Sequence, residues 1–577
     1  MADHDGIAEI GRGAWRRLRR SIASDLQGTP IYRQLALRAR PPEALEGRLR
    51  DMRPGDPVAG RRILSGKFAF GGEEIVAPND PWTAEFPSPR FRDYMHSFTW
   101  LTDVLAADAE AGPAHARRLT DQWLARYGKW DKAAWAAAPA ARRAFVWLAE
   151  APSLFPDEDE ASIDRLDALA RHARHFEHLI TLPLDDADTF AVAIALAACG
   201  ACLPDAEHML AIGLEACARE AQRQILPDGG HASRSPEACA ELLADLYALD
   251  EAVDARGRAL PRELARGIDR LAPMVQFFLL GDGGLASFHG GGEGDRGLIE
   301  ALLAADRAAA RTFHFAPHSG FHRVQAADTV LILDVGGPAP GGFSVNAHAS
   351  CLAFELGAAG GRLIVNCGWS ADQPARFREP VRATAAHSAL IAADTSSMRL
   401  LQPGLKRDLL GPRPATGPGQ VAARRNEEDR GVWIEGSHEG YRAAFGLVHR
   451  RRIFVADAGD NVRGEDTLFR PVEDAARSTP ATTEYAIRFH LAPGVKVDGA
   501  RDGRSALLSH PNGEAWRFRT DVGPIETEAS IYLAAPGKVA KTRQLVLRGQ
   551  ARLDGSLERP PNRVRWALQR IGRAPNA

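Results

Sequence analysis

The sequence predicts an α+β chain in two parts: a layered helical domain over residues 1–312 and an antiparallel β domain over 313–577. Three observations carry this. Apolar residues recur at three and four through the first part. They alternate with a period of two through the second. The change follows a glycine-rich passage, GDGGLASFHGGGEGDRG (281–297), and one further helix through about Arg311. With 577 residues, the chain exceeds what one hydrophobic core usually supports.

The elements follow in order. Trp15 to Ile22 forms a short basic amphipathic stretch, read as a solvated terminal helix in preference to one touching a membrane surface. No apolar segment follows these basic residues as in a secretory signal. Helical spacing continues through AHARRLTDQWLARYGKW (114–130), AARRAFVWLAEAPSLF (140–155) and ASIDRLDALARHARHFEHLITLPL (161–184). TFAVAIALAACGACL (189–203) is apolar on almost every side, which predicts an inner helix walled by others. It is too short to span a bilayer. Cys199 and Cys202 have redox spacing but lie inside this run, and the six cysteines read as reduced, buried thiols.

LPDGGHASRSPEAC (226–239) joins two helical segments. Ser235 is suited to the N-cap, Pro236 to the first helical position, and Glu237 to the positive end of the helix dipole. His231 and Arg234 are not needed to make the turn. Strand alternation then appears in FHRVQAADTVLILDVG, CLAFELGAAGGRLIVNCG, GVWIEGSHEGYRAAFGLVHRRRIFVAD, EYAIRFHLAPGVKV and ASIYLAAP, the pattern of a sandwich or barrel-like sheet system.

A net charge of −2 argues against a nucleic-acid binder driven by bulk charge, so any polyanion site must be a local basic lining. Polar loop residues where the two parts meet are the first functional candidates. In the helical part these are Asn79, Tyr94, His96, Trp100, His231 and Arg234. In the β part they are Asn346, His348, Asn366, Arg382, His387, His438, Tyr441 and His490. His348 opens a strand, Asn366 ends the next and His387 precedes a third. Three such ligands could hold a zinc ion, while for each histidine singly a structural hydrogen-bonding role is the simpler reading.

The combination of DGGHASRSP with HSGFHRVQAADTVLILDVG, AHASCLAFEL, GGRLIVNCG, AAHSAL and HEGYRAAFGLVHRRRI resembles the heparinase II/III family of polysaccharide lyases. The resemblance implies an incomplete α/α toroid followed by an antiparallel β-sandwich. It also implies β-elimination on an acidic polysaccharide such as heparan sulfate or alginate. That chemistry neutralises a uronate carboxylate, removes the neighbouring C5 proton with a base and supports the departing oxygen with an acid. It requires no cofactor. Arg234, Arg376, Arg378 and Arg382 are candidates for a basic cleft lining.

The match departs from the family at its chemistry. Family lyases look like DG-x-x-x-E-Q-S-x-x-Tyr-His. This chain keeps Asp228, Gly229 and Ser235, but has Ser233-Arg234 for Glu-Gln and Ala238-Cys239 for Tyr-His. The family's His-x-His-x-Asp is Asn346-Ala-His348-Ala-Ser350, and a metal-binding Asp is Asn366. A structural zinc on His348, Asn366 and His387 is therefore expected to be weak or lost.

The expected catalytic set is His231, Arg234, His348 and Tyr441, with Asn79, Tyr94, His96, Asn346 and Arg382 binding substrate. Two other readings stay open. One is a catalytically impaired relative that binds or senses acidic glycans. The other is a toroid glycoside hydrolase, which needs paired carboxylates. Asp185, Asp186 and Asp188 read as a helix start rather than such a pair. The family suggests an envelope or periplasmic setting, whereas the absent export signal leaves a cytoplasmic one open.

Overall fold

A computed structural model describes residues 2–29, 31–32, 36–157, 159–184, 186–305, 313–419, 421–477, 481–537, 539–555 and 562–573. Its helical part comprises α1 (Ala2–Gln27), α2 (Pro57–Leu64), α3 (Pro89–Ser97), α4 (Leu101–Ala107), α5 (Ala111–Tyr127), α6 (Ala137–Ala149), α7 (Ala151–Leu154), α8 (Ser162–Leu179), α9 (Asp186–Cys202), α10 (Glu207–Gln224), α11 (Pro236–Ala255), α12 (Arg262–Phe277) and α13 (Arg296–Ala305). The expected boundary at 312/313 and Asp185 both fall at or within segments outside the described residues.

The inner helix is α9. Its all-round apolar surface packs against α6, α8, α10 and α11, and Val192 through Cys199 are buried. Cys199 and Cys202 are buried and unpaired, and burial raises both thiols, that of Cys202 to about 12. Such thiols are inert, against a redox role. A separate aromatic core (Trp82, Trp100, Trp123, Trp135 and Trp147) fills the space under α3 to α6.

The part read as helical also holds a β-hairpin, β1 (Lys67–Phe70) and β2 (Glu73–Val76). Gly71 and Gly72 have φ of 62° and 75°. This is the conformation a two-residue hairpin turn requires and glycine adopts freely.

The β part contains β3 (Phe315–Ala316), β4 (Phe321–Ala326), β5 (Thr329–Asp334), β6 (Phe354–Ala358), β7 (Gly361–Val365), β8 (Leu390–Ala392), β9 (Arg399–Leu400), β10 (Pro414–Thr416), β11 (Val421–Glu428), β12 (Gly431–His438), β13 (Val448–Ala456), β14 (Asn461–Phe469), β15 (Thr482–Leu491), β16 (Lys496–Gly499), β17 (Ser505–Ser509), β18 (Glu514–Thr520), β19 (Ile525–Tyr532), β20 (Ala540–Arg552) and β21 (Arg563–Arg573). Two short helices interrupt it, α14 (Leu405–Leu410) and α15 (Arg442–Phe445).

Among the described residues, one sheet runs β19-β20-β15-β7-β6-β5-β4-β3 with β8 on β15, and a second runs β11-β12-β13-β14-β21-β18-β17-β16. The first lies between the helices and the second. In β5, Val330 and Ile332 join the helical core, while Leu331 and Leu333 join the core between the sheets. Alternate side chains thus serve opposite faces, and both faces are covered. That is why TVLILD is apolar almost without interruption.

Polar clamps fix the two parts together. Asp228 accepts from His318 N at 2.8 Å and from Ser319 N and Oγ at 2.7 Å each. Arg323 Nη1 donates to Phe277 O, and Arg362 Nε to Asp282 at 2.8 Å.

Candidate functional site

The loop between α10 and α11 is built for close approach. Gly229 has φ of 93°, and a Cβ there would stand 1.9 Å from Arg270 O. A Cβ on Gly230 would meet Ser319 Oγ at the same distance. Ser235 accepts from Ala238 N as an N-cap, and Pro236 follows at the first turn. The turn therefore starts a helix and docks the β part.

His231 stands inside this loop. Ser233 N donates to its Nδ1 at 3.1 Å, and Nε2 faces Gln224 Oε1 at 3.3 Å, which favours the neutral Nε2–H tautomer. Burial lowers its pKa to about 4. Both nitrogens are occupied within the loop, contrary to the free base expected of it. At the family's Tyr-His position, Cys239 Sγ accepts from His231 N at 3.2 Å and closes the loop.

Arg234 is committed elsewhere than expected. Its guanidinium donates to Ser319 O, Gly337 O and Gly320 O and is ion-paired with Asp334. It is 6% exposed and Asp334 0%, so the cation is consumed by the fold and cannot neutralise a substrate carboxylate.

Asp334 also accepts from Ser350 Oγ at 2.6 Å and faces His289 Nε2 at 3.2 Å. Burial alone would raise its pKa, but Arg234 and His289 outweigh this and hold it well below the usual carboxylate range. His289, within the glycine-rich passage, was not among the sequence candidates. Its Nδ1 accepts the backbone N–H of His348 at 3.2 Å.

His348 and His387 are brought together, with Nδ1 and Nε2 3.1 Å apart. His387 Nδ1 lies 2.8 Å from Ala383 O, so it carries the proton and its Nε2 accepts from His348. Burial lowers both pKa values, that of His387 to about 4. Asn366 is spent on backbone: Oδ1 accepts from Ser388 N at 3.0 Å and Nδ2 donates to Ser287 O at 3.3 Å. Two imidazoles bonded to each other and a neutral, engaged amide do not fit a zinc centre. Among the described residues, no group of three His, Cys, Asp or Glu could hold a metal ion.

The remaining candidates scatter. Tyr441 is fully buried between the sheets, its hydroxyl donating to Leu390 O at 2.7 Å, which corrects its expected catalytic place. His96 is buried in the aromatic core and accepts from Trp123 Nε1 at 3.1 Å. Tyr94 stacks on Phe70 with centroids 4.4 Å apart. Asn79 is exposed, its carbonyl accepting from Arg118 and Gln122. Trp100 donates to Met95 O. Arg382 donates to Ala347 O and Ser344 O, bracing the backbone before His348 rather than offering a cation. His438 faces His449, and His490 is held by Ser530 and Ala385 O.

Asn346 does lie at the junction, accepting from Arg378 Nη2 at 2.7 Å. Near it, Arg90 of α3 donates to Gln373 O at 2.9 Å and lies over the Phe70 and Trp369 rings. Among the described residues, Arg90, Arg376 and Arg378 have no ion-pair partner; Arg376 is exposed beside the Phe377 ring, so of the expected basic lining Arg376 and Arg378 remain, joined by Arg90. Glu237, read as a dipole partner only, accepts from Gly292 N at 2.9 Å, and burial raises its pKa to about 7.

The native state therefore holds the Glu237 proton more tightly than an unfolded chain, whose glutamates titrate near ~4.3. Its ionisation destabilises the fold as pH rises through that interval. Glu237→Gln is expected to raise Tm at pH 8 and to leave it nearly unchanged at pH 4. Equal shifts at both pH values would contradict this.

A layered helical part joined through a polar junction to two antiparallel sheets is an α+β architecture shared with heparinase III. Residues 308–567 match the profile "Heparinase II/III-like, C-terminal". The chain belongs to the heparinase II/III family. It is 36% identical over 563 residues to FtsZ-localized protein C of Caulobacter vibrioides (strain NA1000 / CB15N), with 96% of each chain covered. Among solved structures it resembles heparinase III (TM-score 0.70, 13% identity, covering 99% of this chain and 92% of the other). It also resembles a mutant of the heparan sulfate lyase HepC from Pedobacter heparinus (TM-score 0.59, 13% identity, covering 94% and 88%). Among the described residues, no helix is long and apolar enough to cross a membrane.

Proposed function

We propose that this chain is a non-eliminating member of the heparinase II/III family that serves as a docking protein at the cell-division site. The observation that carries the first half is the engagement of the expected chemistry. Arg234 is ion-paired to Asp334, both His231 nitrogens are occupied, Tyr441 lies in the core, and Ala238-Cys239 stands where family lyases have Tyr-His. The likeness to FtsZ-localized protein C supports the second half.

Incubation with heparan sulfate, alginate and other uronate polymers is expected to yield no absorbance from unsaturated sugar. Its appearance, and its loss in His348→Ala, would establish elimination and sink the proposal. A fluorescent fusion is expected to follow the FtsZ ring. Diffuse signal in dividing cells would remove the docking role.

A second observation supplies the means of docking. Trp15, Leu18, Ile22 and Leu26 are 60%, 51%, 51% and 59% exposed. At 100° per residue they fall within an arc of about 80° on α1. The opposite face is the packed one: Gly13 abuts Leu410, and Arg17 donates to Asp408 O. Arg19 and Arg16 lie along one edge of the stripe. An exposed apolar stripe with arginines along one edge suits the interface of an anionic membrane, and this favours the reading that the sequence alone placed second. Together these support a site of work at the cytoplasmic membrane face in preference to the envelope or periplasm.

A further inference from the structure

We propose that the groove between residues 43–51 and the α6–α8 segment is a docking site for a short basic, apolar-bearing peptide segment of a partner protein. The groove encloses about 1230 Å³. Small-molecule pockets span roughly 300–1,000 Å³, so its size suits a peptide better. It lies on the helical part, away from the junction described above, and the inference does not depend on the membrane proposal.

Its floor is apolar. Ile163, at the start of α8, is 52% exposed, and Leu45, Phe155 and Pro156 are half-buried beside it. An isolated exposed isoleucine needs no explanation, but one that continues a groove of partly buried apolar side chains offers a partner area to cover.

The rim is acidic, with eight carboxylates against two arginines in the lining. Some are already matched: Glu46 by Arg256, Asp51 by Arg53, and Asp159 by Arg165. Glu43, Asp157 and Glu160 form no ion pair among the described residues. An apolar floor under uncompensated carboxylates selects a segment carrying Lys or Arg between apolar side chains, and disfavours an anionic lipid surface.

The groove is preformed. Glu46 N and Gly47 N both donate to Cys202 O, at 2.9 and 3.2 Å, and a Cβ on Gly47 would stand 2.2 Å from Ala201 O. Little ordering therefore opposes binding. It is also set apart from α1. Helix α8 begins at the groove, whereas its far end meets Tyr32, just beyond α1, through His175 and His178. Sixteen helical steps separate Ser162 from His178 and place these sites ~24 Å apart along the helix.

The test is fluorescence anisotropy on the full chain with labelled dodecapeptides that alternate Arg or Lys with Leu or Phe. Controls replace every basic residue by Glu, or every apolar residue by Ser. Binding is expected only for the basic, apolar series. It should weaken at least tenfold in Asp157→Lys/Glu160→Lys and also in Ile163→Ser, with Tm unchanged. Equal binding by the groove variants, or by the Ser-substituted series, overturns the proposal, the latter because charge alone would then suffice. So does failure of the whole series. Competition by a peptide of residues 11–27 together with self-association of the chain would assign the groove to a second copy instead.

Discussion

Arg234→Ala is expected to destabilise the chain by about 3–5 kcal/mol, the usual result of removing one partner from a buried ion pair. The loss is large because more than one contact goes. Asp334 remains fully buried without its cation, and the carbonyls of Ser319, Gly320 and Gly337 each lose a charged donor. Arg234→Lys should recover only part of it, since one ammonium cannot reproduce a guanidinium fork serving four acceptors. Urea unfolding measures the shift.

The pH dependence separates this from simple loss of packing. With its pKa depressed, Asp334 contributes stability that is fully present above the unfolded carboxylate value near ~3.9 and is lost as pH falls through the folded value. Without Arg234 that contribution is gone. The gap between wild type and variant should therefore be wide at pH 7 and narrow toward strong acid. A gap independent of pH would mean that Arg234 acts as bulk and not as a charge.

These same residues mark what the sequence made legible. Ser235-Pro236 was readable because a helix cap is local chemistry, and the change from a period of 3.6 to 2 was readable because each burial pattern repeats over many residues. The commitment of Arg234 was not. Its partner Asp334 is 100 residues away, at the end of a strand with nothing in its own sequence to distinguish its last position. His289 was hidden by surrounding glycines, which carry no periodicity. Tyr441 illustrates the opposite error. A tyrosine beside Gly440 before a strand looks exposed, and only the stacking of a second sheet over it decides otherwise. Alternation identifies two faces of a strand but not how many layers cover them.

The three residues considered as metal ligands show a related effect. Strand ends did bring His348 and His387 together, as their positions implied. Hydrogen bonding then assigned Asn366 to Ser388 and Ser287 and joined the two imidazoles to each other. Sequence distance says which residues meet, whereas competing partners decide what each is free to do.

The same distinction governs α1, whose polar and apolar faces were legible but whose packed face was not. Leu18→Glu/Ile22→Glu is expected to abolish binding to phosphatidylglycerol vesicles while leaving Tm unchanged, since both positions lie opposite the Leu410 contact. Each side chain buried in the interface contributes roughly 1.5–3 kcal/mol, so the pair accounts for about 3–6 kcal/mol, or ~10²–10⁴ in affinity. Arg16→Glu/Arg19→Glu removes about 1 kcal/mol per arginine lost, and reversing the charge adds repulsion. That second defect should shrink as salt rises, whereas the first should not. Co-flotation at low and high ionic strength measures both. Full binding by the leucine–isoleucine variant would return α1 to a solvated terminal helix, because arginines without an apolar stripe give attraction but no insertion.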